Sequence, residues 1–283
     1  MPMEWTTLIA AEDLAARLGQ EDLVVLDATA SLADPEAARA AYHEAHVPGA
    51  HHVDLARDLS GPHRPGAGRH PWPEEAHIRG VLGRVGATPA HQVVVYDAGD
   101  GALAAARAWF LLRALGHRRV AVLDGGWSRW RALGLPVERA VPAPGATQYE
   151  ARFDRSRLLD VDDIRAQLAS GGVLVDARAA ERFRGDVEPI DRRAGHVPGA
   201  RNRPFVENLR DGRFKPAEEL AAEFRALLGA VPTERVAVMC GSGVTACHHL
   251  LAMEHAGLGG ARLFTGSWSG WIEDPARPIE TGA

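Results

Sequence analysis

The chain has 283 residues, 46% of them hydrophobic and 24% charged, enough to build two modest α/β cores or one large one. A formal net charge of −5 and the lack of any basic cluster argue against a nucleic-acid partner, and no apolar run approaches the ~18 residues of a membrane-spanning helix. Two cysteines in a chain this long make no disulfide framework, and the opening Met1-Pro-Met-Glu-Trp5 lacks a charged-then-apolar leader, so a reducing cytoplasm is the expected setting.

Along the chain, residues 93–96 form a short β-rich run. Residues 102–115 then place Leu103, Ala106, Phe110, Leu111 and Leu115 near one helical face. Val120–Leu123 reads as a strand. Pro136, Pro142, Pro144 and Gly145 interrupt any periodicity, and residues 149–157 are polar and irregular, as in an exposed linker. Pro216 is placed to open a helix at Ala217, where its missing N–H costs nothing, and Phe224, Leu227 and Leu228 give that helix an apolar face. A strand at Val236–Met239, a helix over 244–255 and a strand over 261–264 follow. This alternation with short links predicts parallel sheets covered on both faces.

The two halves echo each other in the same order. Leu23-Val-Val-Leu-Asp-Ala28 resembles Val173-Leu-Val-Asp-Ala177, and Ala45-His-Val-Pro-Gly-Ala50 returns as Gly195-His-Val-Pro-Gly-Ala200. Gln92-Val-Val-Val-Tyr-Asp97 matches Arg235-Val-Ala-Val-Met-Cys240, and Gly125-Gly-Trp-Ser-Arg-Trp130 matches Gly266-Ser-Trp-Ser-Gly-Trp271. A duplicated domain is the simplest account, with one domain at 1–140, a linker at 141–155 and a second domain at 156–283.

Cys240 stands where an apolar strand ends, before the glycine-rich turn Gly241-Ser-Gly243 and a helix. Such a junction aims several backbone N–H groups at one spot beside the positive end of a helix dipole, which favours a thiolate. Ligands of parallel sheets bind beyond the carboxyl ends of strands, where this cysteine lies. In the first half the equivalent position is Asp97, a carboxylate rather than a thiol.

The tandem His-Val-Pro-Gly-Ala segments, the loop Cys240-Gly-Ser-Gly-Val-Thr-Ala246 and the segments Asp124-Gly-Gly-Trp127 and Gly266-Ser-Trp268 resemble the rhodanese-like sulfurtransferases, in particular their 3-mercaptopyruvate branch. The resemblance covers almost the whole chain. It implies an α/β fold of two tandem rhodanese-like domains, each around a mostly parallel five-stranded sheet. It also implies catalysis in the second domain, with the first chemically silent and forming one wall of a cleft. The reaction implied is sulfur transfer from 3-mercaptopyruvate through a Cys240 persulfide, releasing pyruvate, to a small thiol, cyanide or a protein dithiol such as thioredoxin. No cofactor or metal is implied.

The candidate site is Cys240 with Ser242 as catalytic partner, and Gly241, Gly243, Val244 and Thr245 as an amide nest for the sulfur. Thr245 could equally cap the following helix. Arg182 matches a family arginine that contacts the donor carboxylate, a task suited to a planar guanidinium. His70 and Asp54 match first-half polar residues of that branch, although Ala56 stands where one family carboxylate would be. A second family arginine is missing from Val187-Glu-Pro-Ile-Asp191, which leaves Arg192 and Arg193 as substitutes. Gly241 and Ser242 are uncharged where thiosulfate-specialised members carry arginine and lysine, so a monoanionic donor is the better match, with thiosulfate the alternative.

Other readings are weaker. A cysteine phosphatase needs an arginine where Ala246 stands. Zinc would need spaced ligands, whereas His51-His52 and Cys247-His-His249 are adjacent, and Cys247 reads as a small buried apolar residue within its helix. Gly99-Asp-Gly101 lacks the lysine and spacing of a phosphate loop. The tryptophans at 127, 130, 268 and 271, spaced by three, read as core, with Trp268 and Trp271 also candidates to border the Cys240 cleft. A non-catalytic binding module would be expected to lack the loop cysteine.

Overall fold

The computed structural model describes residues 4–31, 34–99 and 104–282. The chain divides into two compact units. The first comprises Met1–Gly61, Pro73–Asp154 and Asp211–Phe214; the second comprises Pro62–Trp72, Arg155–Arg210 and Lys215–Ala283. Among the described residues no helix is long and apolar enough to cross a membrane.

Each unit is built on a five-stranded parallel sheet, and the strand order is the same in both. In the first it runs Leu8–Ile9, Val120–Leu123, Gln92–Tyr96, Leu23–Asp27, His51–His52. In the second it runs Leu158–Leu159, Arg262–Phe264, Val236–Met239, Val173–Asp176, Arg201–Asn202. The central strands Gln92–Tyr96 and Val236–Met239 are buried along their whole length. That is why they read as continuous apolar runs rather than alternating ones. One core gathers Ile9, Leu14, Val25, Val94, Tyr96, Leu123 and Trp130, and the other gathers Leu159, Ile164, Leu174, Met239, Phe264, Trp268 and Trp271. Trp130, Trp268 and Trp271 are therefore core residues, and Trp127 packs partly buried against the first core.

The repeated His-Val-Pro-Gly-Ala segment does the same structural work twice. Val47 and Val197 are fully buried. His46 exchanges both backbone hydrogen bonds with Glu138 at 2.9 Å, and His196 does so with Glu280 at 2.8 and 3.0 Å. Gly49 and Gly199 donate their N–H groups to the carboxylates of the same two glutamates. Each motif thus ties the tail of its unit back to the edge of the sheet. Both glycines adopt a left-handed φ, +75° and +78°, where a Cβ would be strained.

Two helices start later than the sequence pattern suggests. The helix expected over 244–255 runs Ala246–His255, because Gly243 takes φ +75° and residues 243–245 stay in the turn. The side chain of Thr245 makes no capping hydrogen bond, so the capping role is not realised. The helix expected over 102–115 is Ala105–Ala114; Leu103 and part of Gly99-Asp-Gly101 lie outside the described residues. Cys247 lies in the first turn of its helix, fully buried as expected, with its thiol 3.5 Å from the Gly243 carbonyl. His248 and His249 are both fully buried, and each accepts from Asn208 at 2.9 Å.

Candidate active site

Strand Val236–Met239 pairs in register with Val173–Asp176, so Met239 lies beside Asp176 and the chain emerges at Cys240. Cys240 is 3% exposed. Three contacts from one turn hold its backbone and that of Gly241. Its N–H donates to Ser267 Oγ at 3.2 Å, its carbonyl accepts from Trp268 N–H at 3.0 Å, and the Gly241 carbonyl accepts from Ser269 N–H at 2.9 Å.

Ser267 is unusual in this arrangement. It is fully buried at φ +49°, a region that costs a non-glycine residue ~1–2 kcal/mol. The matching residue of the first half is Gly126, at φ +54°. The Ser267 hydroxyl also donates to the Phe264 carbonyl at 3.0 Å, so one hydroxyl fixes both the end of a strand and the amide of Cys240.

The first half shows what such a junction does with negative charge. The Asp97 carboxylate accepts from the N–H groups of Ala104 and Ala105, at 3.3 and 3.0 Å, at the start of helix Ala105–Ala114. Helix N-termini stabilise anions because their first amides have no partner within the helix. Asp97 fills the same sequence position in its half as Cys240 does in the second.

Two guanidiniums converge on the residue after Cys240. A β-carbon built at Gly241 would lie 3.1 Å from Arg69 Nη2 and 3.8 Å from both terminal nitrogens of Arg182. Arg182 projects from the short helix Ala180–Arg184. It donates to Glu188 from Nε at 3.2 Å and from Nη2 at 2.7 Å, and to Asp191 at 3.2 Å. Arg69 Nη1 donates to the other oxygen of Asp191. Arg178 lies behind them, with its side chain 1% exposed; it binds both oxygens of Asp176 and the Gly195 carbonyl, and stacks 4.7 Å from the Trp268 ring centre. Breaking such a buried pair by removing one partner costs ~3–5 kcal/mol.

The two carboxylates facing Arg182 respond differently. Burial pushes Glu188 up, but the Arg182 hydrogen bond and the amides of Asp191 and Ile190 outweigh it and hold the carboxyl below its usual range. Burial dominates at Asp191 and raises it, against the pull of Arg69.

His70 Nδ1 is hydrogen-bonded to Ser242 Oγ at 2.8 Å, and Ser242 is buried. Both residues belong to the second unit, because the segment Pro62–Trp72 does. That segment is fastened to the end of helix Ser267–Trp271 and the residues after it. Gly66 N–H donates to Glu273, Gly68 N–H donates to Glu273 at 3.2 Å, and Arg69 N–H donates to Ser269 Oγ at 3.1 Å.

The structure thus gathers Cys240, Gly241, Ser242, Gly243, Val244, Thr245, Arg182 and His70 within one unit. Asp54 belongs to the first unit. Its Oδ1 accepts from Ala56 and Arg57 N–H groups at 2.9 and 2.7 Å, and it lines a cavity of about 450 Å³ with Tyr42, His51 and Arg84. Arg192 and Arg193 turn to backbone carbonyls of Ile272, Glu273 and Pro275, so neither stands in for the missing arginine beside Arg182. The second guanidinium against Gly241 is that of Arg69. Sequence reasoning missed it, although it adjoins His70; it also missed Asp191, Glu188 and Ser267. Among the described residues no group of three or more His, Cys, Asp or Glu is placed to hold a metal.

Comparison with known proteins agrees with the repeated architecture. The rhodanese-like domain model matches residues 10–133 and again 160–274. A Pseudomonas aeruginosa protein named as a probable 3-mercaptopyruvate sulfurtransferase is 48% identical, covering 99% of this chain and 100% of its own. The human 3-mercaptopyruvate sulfurtransferase is 36% identical over 92% of this chain and 89% of its own, and the chicken thiosulfate sulfurtransferase is 35% identical over 91% and 89%. Among solved structures, SseA from Escherichia coli, described as a 3-mercaptopyruvate sulfotransferase, superposes with a TM-score of 0.79 at 31% identity, covering 94% of this chain and all of that one. Two matches to one domain model, two sheets of identical order and near full-length relatives lead to one conclusion: the chain belongs to the rhodanese-like family.

Proposed function

We propose that the protein is a sulfurtransferase that takes sulfur from 3-mercaptopyruvate and passes it, through a persulfide on Cys240, to a thiol. The observation that carries this reading is a buried cysteine at the end of a parallel strand with two guanidiniums on the next residue. The Cys240 thiolate attacks the donor sulfur, the carbon–sulfur bond breaks, and its electron pair leaves on carbon as the enolate of pyruvate. In this reading the hydrogen-bonded pair His70–Ser242 delivers the proton that completes pyruvate. An acceptor thiolate then attacks the outer sulfur and regenerates Cys240; a protein dithiol such as thioredoxin would go on to release sulfide. Two displacements replace one hard step, which is the logic of covalent catalysis.

In this reading Arg182 binds the donor carboxylate, and the amides of Gly241, Gly243, Val244 and Thr245 stabilise the sulfur as the amides of Ala104 and Ala105 stabilise Asp97. We place the first domain at residues 1–140 without Pro62–Trp72, which belongs to the second unit; it carries a carboxylate rather than a thiol at the position matching Cys240, and residues 141–155 lead to the catalytic domain at 156–283. A cytoplasmic setting suits the free thiols of Cys240 and Cys247. Thiosulfate is the second donor to consider, because thiosulfate sulfurtransferases are among the full-length relatives.

The test is intact-mass and peptide-mass spectrometry of donor-treated protein, with pyruvate release followed in parallel. An added sulfur atom on Cys240 and a higher kcat/KM for 3-mercaptopyruvate than for thiosulfate are expected. No added mass, or mass on another residue, rejects the mechanism.

A further inference from the structure

We propose that Asp191 is a specificity-determining residue that biases the site toward singly charged donors. The inference rests on the sulfurtransferase reading. Around the loop three guanidiniums, those of Arg69, Arg178 and Arg182, are matched by three carboxylates, those of Asp176, Glu188 and Asp191. Asp176 is bound up with Arg178, and Glu188 is held by Arg182, by Arg178 and by two backbone amides. Asp191 differs from both. It bridges Arg69 and Arg182, the two groups that lie against Gly241, and its side chain is 5% exposed. An incoming anion therefore meets two guanidiniums already joined by an internal carboxylate.

The cost of that arrangement depends on the charge of the donor. A carboxylate donor brings one negative charge to the Arg69–Arg182 pair, and thiosulfate brings two. Each added negative charge is repelled by Asp191 at short range in a partly desolvated site, where screening by salt is weak. The loop residues Gly241 and Ser242 supply no cation to offset the second charge. Asp191 thus favours the monoanion by excluding the dianion, which is specificity through repulsion rather than attraction. Arg69 is the other half of the device: its cation is what Asp191 discounts.

The experiment compares wild type, Asp191→Asn and Arg69→Gln for kcat/KM with 3-mercaptopyruvate and with thiosulfate, using one common thiol acceptor. Asp191→Asn keeps shape and removes charge, so the thiosulfate to mercaptopyruvate ratio should rise on the order of 10- to 50-fold. Arg69→Gln alters a side chain that is 32% exposed, and should move the ratio in the opposite direction. A second readout needs no turnover: protection of Cys240 from iodoacetamide by sulfate, a dianion, against pyruvate, a monoanion. Asp191→Asn should strengthen sulfate protection far more than pyruvate protection. If the two variants leave both ratios within twofold of wild type, or shift them in the same direction, the proposal is overturned. A wild-type protein that turns over neither donor would reject the sulfurtransferase reading, while the protection ratios would still decide the role of Asp191.

Discussion

Replacing Gly270 with alanine would place a β-carbon 2.5 Å from the Gly66 carbonyl oxygen and 3.2 Å from both the Gly66 carbonyl carbon and the Gly68 nitrogen. The obstacle is backbone, so no side chain can swing away. Ordinary van der Waals contact needs roughly 3.5 Å, and the segment Pro62–Trp72 would have to shift by about 1 Å. That segment carries Arg69 and His70, whose contacts to Asp191 and Ser242 it would drag apart. Overpacking of this kind costs ~1–3 kcal/mol of stability, and a displacement of about 1 Å costs on the order of 100-fold in rate when it falls on groups that position substrate. Gly270→Ala should therefore lower kcat/KM for 3-mercaptopyruvate by about that factor while Cys240 stays in place. The control is Gly80→Ala in helix Glu75–Arg84, where nothing lies within 4 Å of the new atom. It should leave kinetics unchanged and stabilise by up to about 1 kcal/mol. Steady-state kinetics with urea unfolding of both variants decide the matter. Wild-type kinetics and stability in Gly270→Ala would show that close backbone packing does not set the position of Arg69 and His70.

Cys240→Ser should abolish pyruvate release, whereas Cys247→Ser should largely keep it, because Cys247 is buried in its helix with its thiol on the Gly243 carbonyl; equal loss in two folded variants would count against Cys240 as the nucleophile. Ser267→Gly and Ser267→Ala both remove the acceptor for Cys240 N–H, but only glycine relieves the left-handed backbone, so the glycine variant should be the more stable by about 1 kcal/mol in urea melts, and the reverse order would dismiss strain at φ +49°. Burial lowers His117 to about 4 and His249 to about 3, and each ring is bonded as a neutral imidazole, with Nε2 on the carbonyl of Arg119 or Arg203. The unfolded chain takes up protons near pH 6.5 while the folded rings refuse them, so stability is present above that pH and falls as pH drops toward 4 and 3. The expected slope is roughly 1.4 kcal/mol per pH unit for each ring. Unfolding free energies should be lower at pH 5.5 than at pH 7.0 in wild type, and His249→Gln should lose part of the difference; an unchanged slope in that variant would remove the ring from the account.

The duplication was legible because it is written in chain order: the same strand, motif and tryptophan segments recur, and the two sheets have the same strand order. Cys240 was legible for a local reason, since a strand running into a glycine turn and a helix fixes where its side chain emerges. The start of the helix after Cys240 was misjudged by two residues, because a helix-compatible sequence continues through 244 and 245 while the backbone at Gly243 turns left-handed. Ser267 went unnoticed as a support because its value lies in a hydroxyl reaching a residue 27 positions away.

The sequence by itself determined the architecture, the place of Cys240 at a strand end and the carboxylate of Asp97 at the matching position, since burial pattern, glycine placement and side-chain type are properties of neighbouring residues. Only the tertiary structure decided which cations face the loop. Arg69, Arg192 and Arg193 are alike as letters. The first reaches Gly241 because its segment packs glycine against glycine on the end of helix Ser267–Trp271, while the other two are drawn to carbonyls of the chain's tail. The contact between Arg69 and Asp191, on which the proposed charge selectivity rests, joins groups 122 residues apart, and no local pattern encodes it.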